Sequence, residues 1–240
     1  MRIVPVLVVL CAALAADAQS VSYDASGNTL PPTPPFIRYD ASHPLGFLNG
    51  YNAPQSVSGG VYSMGPTDVA RYTFWYTDAL VLDHLKGVEI SATLRLISEY
   101  SSNPTDRAGL AIGLTDDRNL YQELYIHPTE VFINKAGRLR DSAWPLDATA
   151  WHVYTVRLID QTVTVEIDGV ARLTGTMFAA ENTLPNWAVV GDITSSARSE
   201  FQMTRFNVTV LPEPATTGLW GMAASAVLII WRRRERGRRC

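Results

Sequence analysis

Residues Val88–Ile97 alternate strictly. Val88, Ile90, Ala92, Leu94 and Leu96 point one way, and Glu89, Ser91, Thr93 and Arg95 the other. A period of two is the mark of a strand with one face buried and one wet, and no helix can satisfy it. The pattern recurs at Tyr154, Val156 and Leu158, and again at Val163, Val165 and Ile167. Asp160-Gln161 separates these two runs tightly. Asp168-Gly169 closes the second, and Asp-Gly suits a type I′ hairpin turn because both central residues need positive φ. Further strands are expected at Arg71–Thr77, Gly109–Leu114, Leu120–Ile126, Glu130–Ile133, Trp187–Val190 and Phe201–Val210. No amphipathic helix of ten or more residues can be drawn between Val61 and Val210. About ten short alternating strands predict two packed antiparallel sheets, with a closed barrel as the rival, and no period of about 20–50 residues suggests a repeat array.

Both ends differ from this middle. Arg2, the apolar run Ile3–Ala15 and then Ala16-Asp17-Ala18 have the layout of a secretory signal with cleavage after Ala18. At the other end, Pro212-Glu213-Pro214 precedes an uncharged stretch to Trp231. Its helix-competent part would cover roughly 25 Å, a little short of a ~30 Å hydrocarbon core. Six arginines follow between Arg232 and Arg239. Arginine clusters stay cytoplasmic, so the preceding domain is expected to face outward, with the span as one transmembrane helix. Between the signal and residue 61, Pro31-Pro32-Thr33-Pro34-Pro35, Asn49-Gly50 and Gly59-Gly60 mark a turn-rich leader, with one edge strand near Phe36–Tyr39. The division is therefore signal peptide 1–18, leader 19–60, β domain 61–210 and tail 211–240.

A secretory start combined with Pro-Glu-Pro, span and arginine cluster resembles the PEP-CTERM sorting signal of Gram-negative bacteria. The resemblance covers about residues 211–240. It implies recognition by an exosortase, after signal peptidase has acted, with cleavage near the tripeptide and delivery to the cell surface or extracellular matrix. Pro212, Glu213 and Pro214 would be substrate residues of that protease, not catalytic ones.

Without the tail the charge balance changes. Residues 19–212 hold thirteen Lys plus Arg against twenty Asp plus Glu, a net −7. That excludes a nucleic-acid partner, which needs a basic surface. The two cysteines, Cys11 and Cys240, lie outside the β domain, which therefore has no disulfide and no thiol chemistry.

A second resemblance begins at Trp151-His152-Val153-Tyr154-Thr155-Val156. It continues through Val163–Gly169 and Gly191-Asp192-Ile193-Thr194-Ser195-Ser196 to Phe206-Asn207-Val208. These segments resemble a concanavalin A-like or laminin G-like jelly roll, across roughly residues 61–210. The resemblance implies a fold and, loosely, a carbohydrate-related or adhesive role.

Chemistry is harder to find. Glycoside hydrolases of this fold place paired carboxylates on one strand. The nearest run, Glu166-Ile167-Asp168, lacks the second glutamate and reads better as a solvated strand position and a turn. His43, His84, His127 and His152 are widely spaced and form no metal motif. No cofactor is expected. Asp116-Asp117 and Asp192 could offer oxygens to calcium, although aspartate in a turn commonly bonds its own backbone. Tyr72, Phe74 and Tyr76 alternate with Thr73, Trp75 and Thr77, so one strand carries aromatics on both faces. Trp75 and Trp144 are the candidates for stacking on a sugar, with core packing the default for each. The expectation is an exported, non-enzymatic, glycan- or matrix-binding β sandwich. The alternatives are a carbohydrate-active enzyme on the same fold or a plain membrane-anchored protein.

Overall fold

The computed structural model describes residues 18–40, 51–67, 71–179 and 185–212. Its strands, in chain order, are β1 (Gln19–Asp24), β2 (Ile37–Tyr39), β3 (Gln55–Ser58), β4 (Val61–Met64), β5 (Thr73–Thr77), β6 (Val88–Ser101), β7 (Leu110–Thr115) and β8 (Leu120–His127). They continue with β9 (Glu130–Lys135), β10 (Leu139–Pro145), β11 (His152–Ile159), β12 (Thr162–Ile167), β13 (Val170–Thr176), β14 (Phe178–Ala179), β15 (Trp187–Asp192) and β16 (Ala197–Val210). One short 3-10 turn, Ala25–Gly27, follows β1. No α-helix occurs among the described residues.

The strands form two antiparallel sheets. Sheet A runs β13-β12-β11-β6-β16-β4-β3, with β1 also on β16. Sheet B runs β10-β9-β8-β7-β15-β5-β2, with β14 on β8. This is the two-sheet sandwich expected from the alternation, not the barrel, and it has the jelly-roll form that the resemblance implies.

The two sheets close over one apolar core. From sheet A it receives Val88, Ile90, Ala92, Leu94 and Leu96 of β6, Tyr154, Val156 and Leu158 of β11, and Phe206 and Val208 of β16. Sheet B answers with Leu110, Ile112 and Leu114 of β7, Leu124 and Ile126 of β8, and Val190 of β15. Full burial of each such side chain contributes about 1.5–3 kcal/mol, which is what fixes the register. A slip of one residue would turn each whole set outward.

The outer faces of the sheets differ. On sheet A, Glu89, Arg157 and Glu166 line up across three strands, with Arg157 Nη2 2.7 Å from Glu89 Oε2 and Nη1 2.6 Å from Glu166 Oε1. That is a solvated polar face. On sheet B the outward residues are largely aromatic and buried, so β5 is buried at every position.

The Asp168-Gly169 turn is present, with φ of 52° and 77° at its two residues. Asp168 Oδ1 accepts the Val153 N–H at 2.9 Å, and its Oδ2 lies 2.7 Å from His152 Nδ1.

The stretch 19–60, read from its prolines and glycines as a leader, contributes β1 to β3 to the two sheets. β1 pairs residue by residue with β16, from Gln19 opposite Val210 to Asp24 opposite Arg205. Val21 and Tyr23 are too few to show an alternation before the proline cluster begins. The edge strand foreseen near Phe36–Tyr39 is β2, at the end of sheet B. Residues 18–211 form one unit. The segments read as a signal peptide and as the apolar span of the tail lie outside the described residues. Among the described residues no helix is long and apolar enough to cross a membrane.

Candidate functional site

The outer face of sheet B gathers the most unusual side chains. In β8 the inward positions are Leu124 and Ile126, so Tyr121, Glu123 and Tyr125 point outward. The register carries this row across the sheet: Glu123 faces Gly113 of β7, Gly113 faces Val189 of β15, and Val189 faces Tyr76 of β5. The adjacent row runs from Phe132 through Tyr125, Ala111 and Gly191 to Phe74 and Tyr39.

The middle of this face is therefore floored by Ala111, Gly113 and Gly191. Aromatic side chains stand on both sides. Tyr125 and Phe132 stack at 5.2 Å on the β8–β9 side. Across the floor, Tyr39 stacks on Phe74 at 4.7 Å, and Trp187 meets Tyr76 edge-on at 5.1 Å. Ile193 packs against both clusters. The floor is close-fitted, because a Cβ at Gly113 would lie 2.9 Å from Val189 Cγ1.

Glu123 sets a carboxyl group into the middle of this face. Tyr125 donates its hydroxyl to Glu123 Oε2 at 2.6 Å. Burial pushes the Glu123 carboxyl above the ordinary carboxylate range, although that hydrogen bond and the Arg138 and Arg107 guanidiniums pull the other way. The Arg107 guanidinium also lies 5.9 Å from the Tyr125 ring centroid, and Arg138 lies 5.5 Å from that of Tyr121. Burial pushes the Tyr121 phenol up to about 12, so both tyrosines are held as hydroxyls.

Two polar atoms on this face are buried without a protein partner. One is a donor, Trp187 Nε1, and the other an acceptor, Asn134 Oδ1. Buried groups left this way in a native fold call for an occupant such as water or a ligand. They lie on β15 and β9, three strand spacings apart or roughly 14 Å, with Glu123 on the strand next to Asn134.

The residues singled out from the sequence are placed elsewhere. Trp75 is a correction. It is 4% exposed and packs between the sheets, donating its Nε1–H to Tyr62 Oη at 2.8 Å. It faces Val190, an inward residue, whereas Phe74 and Tyr76 hold the outer face. Trp144 is half-exposed, and the Arg172 guanidinium covers its ring at 4.5 Å from the centroid.

Asp116 lies in the β7–β8 turn, as expected of a turn aspartate. Its Oδ1 accepts the N–H groups of Arg118 and Leu120, and its Oδ2 meets Arg118 Nη2 at 2.7 Å. Asp117 Oδ1 lies 2.8 Å from His84 Nδ1, and Asp83 completes a group whose ligand atoms all fall within 4.8 Å of one another. Asp192 is fully buried at the end of β15, away from both. Glu166 is paired with Arg157 on sheet A, and Asp168 is in its hairpin. The sequence reading passed over Glu123. The available signal was Tyr121-Gln122-Glu123-Leu124-Tyr125, a carboxylate flanked by outward tyrosines in mid-strand.

No protein family and no curated protein matches this sequence. Solved structures do match its fold. An endo-1,3-β-glucanase from Streptomyces sioyaensis superposes with a TM-score of 0.51 at 13% identity, covering 81% of this chain and 96% of that one. An endo-β-1,3-glucanase from Pyrococcus furiosus gives 0.50 at 10% identity, over 79% and 93%. A protein of unknown function from Shewanella oneidensis MR-1 gives 0.50 at 13% identity, over 83% and 88%. At these identities the likeness establishes a concanavalin A-like jelly roll and no more.

It also corrects the expectation of a non-enzymatic domain. That expectation rested on the lack of paired carboxylates along one strand. Two of these structures are named as glucanases, so the architecture gives no ground for excluding catalysis. A site assembled across β7, β8, β9 and β15 would not show in a strand-local motif.

Proposed function

We propose that residues 19–212 form a carbohydrate-active domain that takes a glycan along the outer face of sheet B, with Glu123 presented to it as a proton donor. The observation that carries this reading is the Glu123 cluster itself. Burial raises this mid-sheet carboxyl, and it stands on the strand between Asn134 of β9 and the small floor residues Ala111 and Gly113 of β7. A general acid needs such a raised pKa to act near neutrality. A sugar hydroxyl both donates and accepts, so a glycan can fill Asn134 Oδ1 and Trp187 Nε1 with one kind of group.

The test uses the purified full chain on a panel of β-1,3-, β-1,4- and mixed-linkage glucans and bacterial exopolysaccharides, with reducing-end release and calorimetric binding read together. Glu123→Gln should keep binding and lose turnover at least a hundredfold. Neither binding nor turnover on any glycan overturns the reading, and undiminished turnover in Glu123→Gln removes Glu123 from it.

Delivery belongs to the same proposal. The secretory start and the Pro212-Glu213-Pro214 tail with its arginine cluster support export, exosortase processing and placement at the cell surface or in the extracellular matrix. Changing the tripeptide to alanines should leave the unprocessed form in the membrane fraction. Unchanged processing would sink the sorting reading.

A further inference from the structure

A second cluster of oxygens lies apart from the Glu123 face, where β15 passes to β16 and β6 gives way to β7. It is built from four segments. Asp192 ends β15 and is fully buried. Its Oδ2 accepts the Thr67 hydroxyl, and its Oδ1 accepts the Thr194 N–H at 3.3 Å. Thr67 Oγ1 in turn accepts the Ser199 N–H at 2.7 Å, and the Thr67 N–H donates to Ser199 O at 2.9 Å. Ser199 of β16 sits directly opposite Glu99 of β6 in the sheet register. Glu99 Oε1 accepts the Gly109 N–H at 2.8 Å. Gly109 is pressed so close to β16 that a Cβ there would lie 2.6 Å from the carbonyl carbon of Arg198.

Two oxygens of this cluster have no partner. Glu99 Oε2 and Ser199 Oγ are both buried and unbonded, and Ser199 is only 1% exposed. Among the described residues no Lys, Arg or His side chain is paired with Glu99 or Asp192, so two desolvated carboxylates share one site without a cation. Ionised, such a pair is strongly unfavourable unless a cation enters the site, and without one the carboxyls are driven to keep their protons.

We propose that Glu99 and Asp192, together with the hydroxyl of Ser199, hold a calcium ion at this end of the sandwich. The donors are all oxygen, which selects a hard cation, and two carboxylates match a divalent one. Magnesium keeps several waters in a near-ideal octahedron, and a cluster with Asp192 and Ser199 fully enclosed has little space for them. Calcium accepts irregular sets of six to eight oxygens, and Thr194, whose N–H already bonds Asp192 Oδ1, carries a hydroxyl 3.0 Å from that of Ser196 that could extend the set. The ion would tie sheet A to sheet B where Thr67 already links them.

The experiment strips the full chain with EDTA and titrates calcium and magnesium by calorimetry, with thermal unfolding in parallel. One calcium per chain and a raised Tm are expected, with magnesium at least tenfold weaker. Glu99→Gln keeps an oxygen for the Gly109 N–H, so it should fold, yet lose calcium affinity at least tenfold. Ser199→Ala is a second variant that leaves both carboxylates in place and should weaken binding by a smaller factor. Asp117→Asn, in the separate Asp83–His84–Asp117 group, should bind as the unaltered chain does. Absence of calcium heat and of any Tm shift overturns the proposal. So does equal affinity for magnesium, or affinity lost in Asp117→Asn and kept in Glu99→Gln. None of these outcomes depends on whether a glycan binds sheet B.

Discussion

Gly191→Ala should be among the most damaging single substitutions in the domain, and the structure gives both reasons. Gly191 has a φ of 139°, outside the range that L side chains adopt readily. A Cβ built there would also lie 2.7 Å from Phe74 Cα and 2.8 Å from the Thr73 carbonyl oxygen. Those are backbone atoms of the neighbouring strand, so no side chain can swing away to make room. Backbone strain of this kind costs about 1–3 kcal/mol, and overpacking another 1–3, so about 4 kcal/mol is expected. For a domain of this size that is a fall in Tm of roughly 8–16 °C. Gly169→Ala is the internal control. Gly169 also has positive φ, at 77°, but nothing lies within 4 Å of its would-be Cβ. It should cost only the conformational part, about 1–2 kcal/mol. Urea unfolding followed by tryptophan fluorescence reads both. Equal losses in the two variants would refute the idea that close approach of β15 to β5, rather than φ alone, demands glycine at 191.

Two more outcomes are expected. Burial pushes the Glu99 carboxyl up to about 7, against the pull of the Gly109 N–H, so the native state holds a proton that the unfolded chain releases near pH 4.5. In EDTA the stability from this group is therefore complete below pH 4.5 and declines as pH rises through 7, by about 3 kcal/mol in all. Glu99→Gln should flatten that decline in a pH series of urea melts, and a slope equal to that of the unaltered chain would count against the assignment. Trp75→Ala should lower stability by about 3–5 kcal/mol, because it empties a core position and removes the donor to the Tyr62 hydroxyl, which is left with Gln55 Oε1. A variant that melts normally but loses glycan affinity would return Trp75 to the surface.

What the sequence revealed follows from which surfaces are wet. β6, β11 and β12 each have one solvated face, so their alternation is visible and their positions were foreseen to within a few residues. β5 is buried on both sides, so its pattern could not say whether Trp75 or Phe74 faced the core. The strand β6 runs on to Ser101, but the apolar rhythm stops at Ile97, which hid Glu99. Asp192 was noticed as an acidic residue in a turn, whereas Thr67 and Glu99 of the same cluster come from distant segments. The Glu123 site is likewise a product of register. Glycine at 113 and alanine at 111 gain meaning only when β7 is laid between β8 and β15.

The position of β16 bears on when this domain can form during synthesis. Ala197–Val210 is the last strand among the described residues, and it lies in the middle of sheet A, joining β6 on one side to β4 and β1 on the other. Until it is made, sheet A exists only as two separate pieces, β13-β12-β11-β6 and β4-β3, with β1 unpaired. The joining contacts span nearly the whole length of the domain, as in Gln19 opposite Val210, and closure over such separations is slow. A nascent chain lacking these fourteen residues therefore leaves sheet A open. A cut made before Val210 would undo the sheet, while one made beyond it leaves every described strand its neighbours.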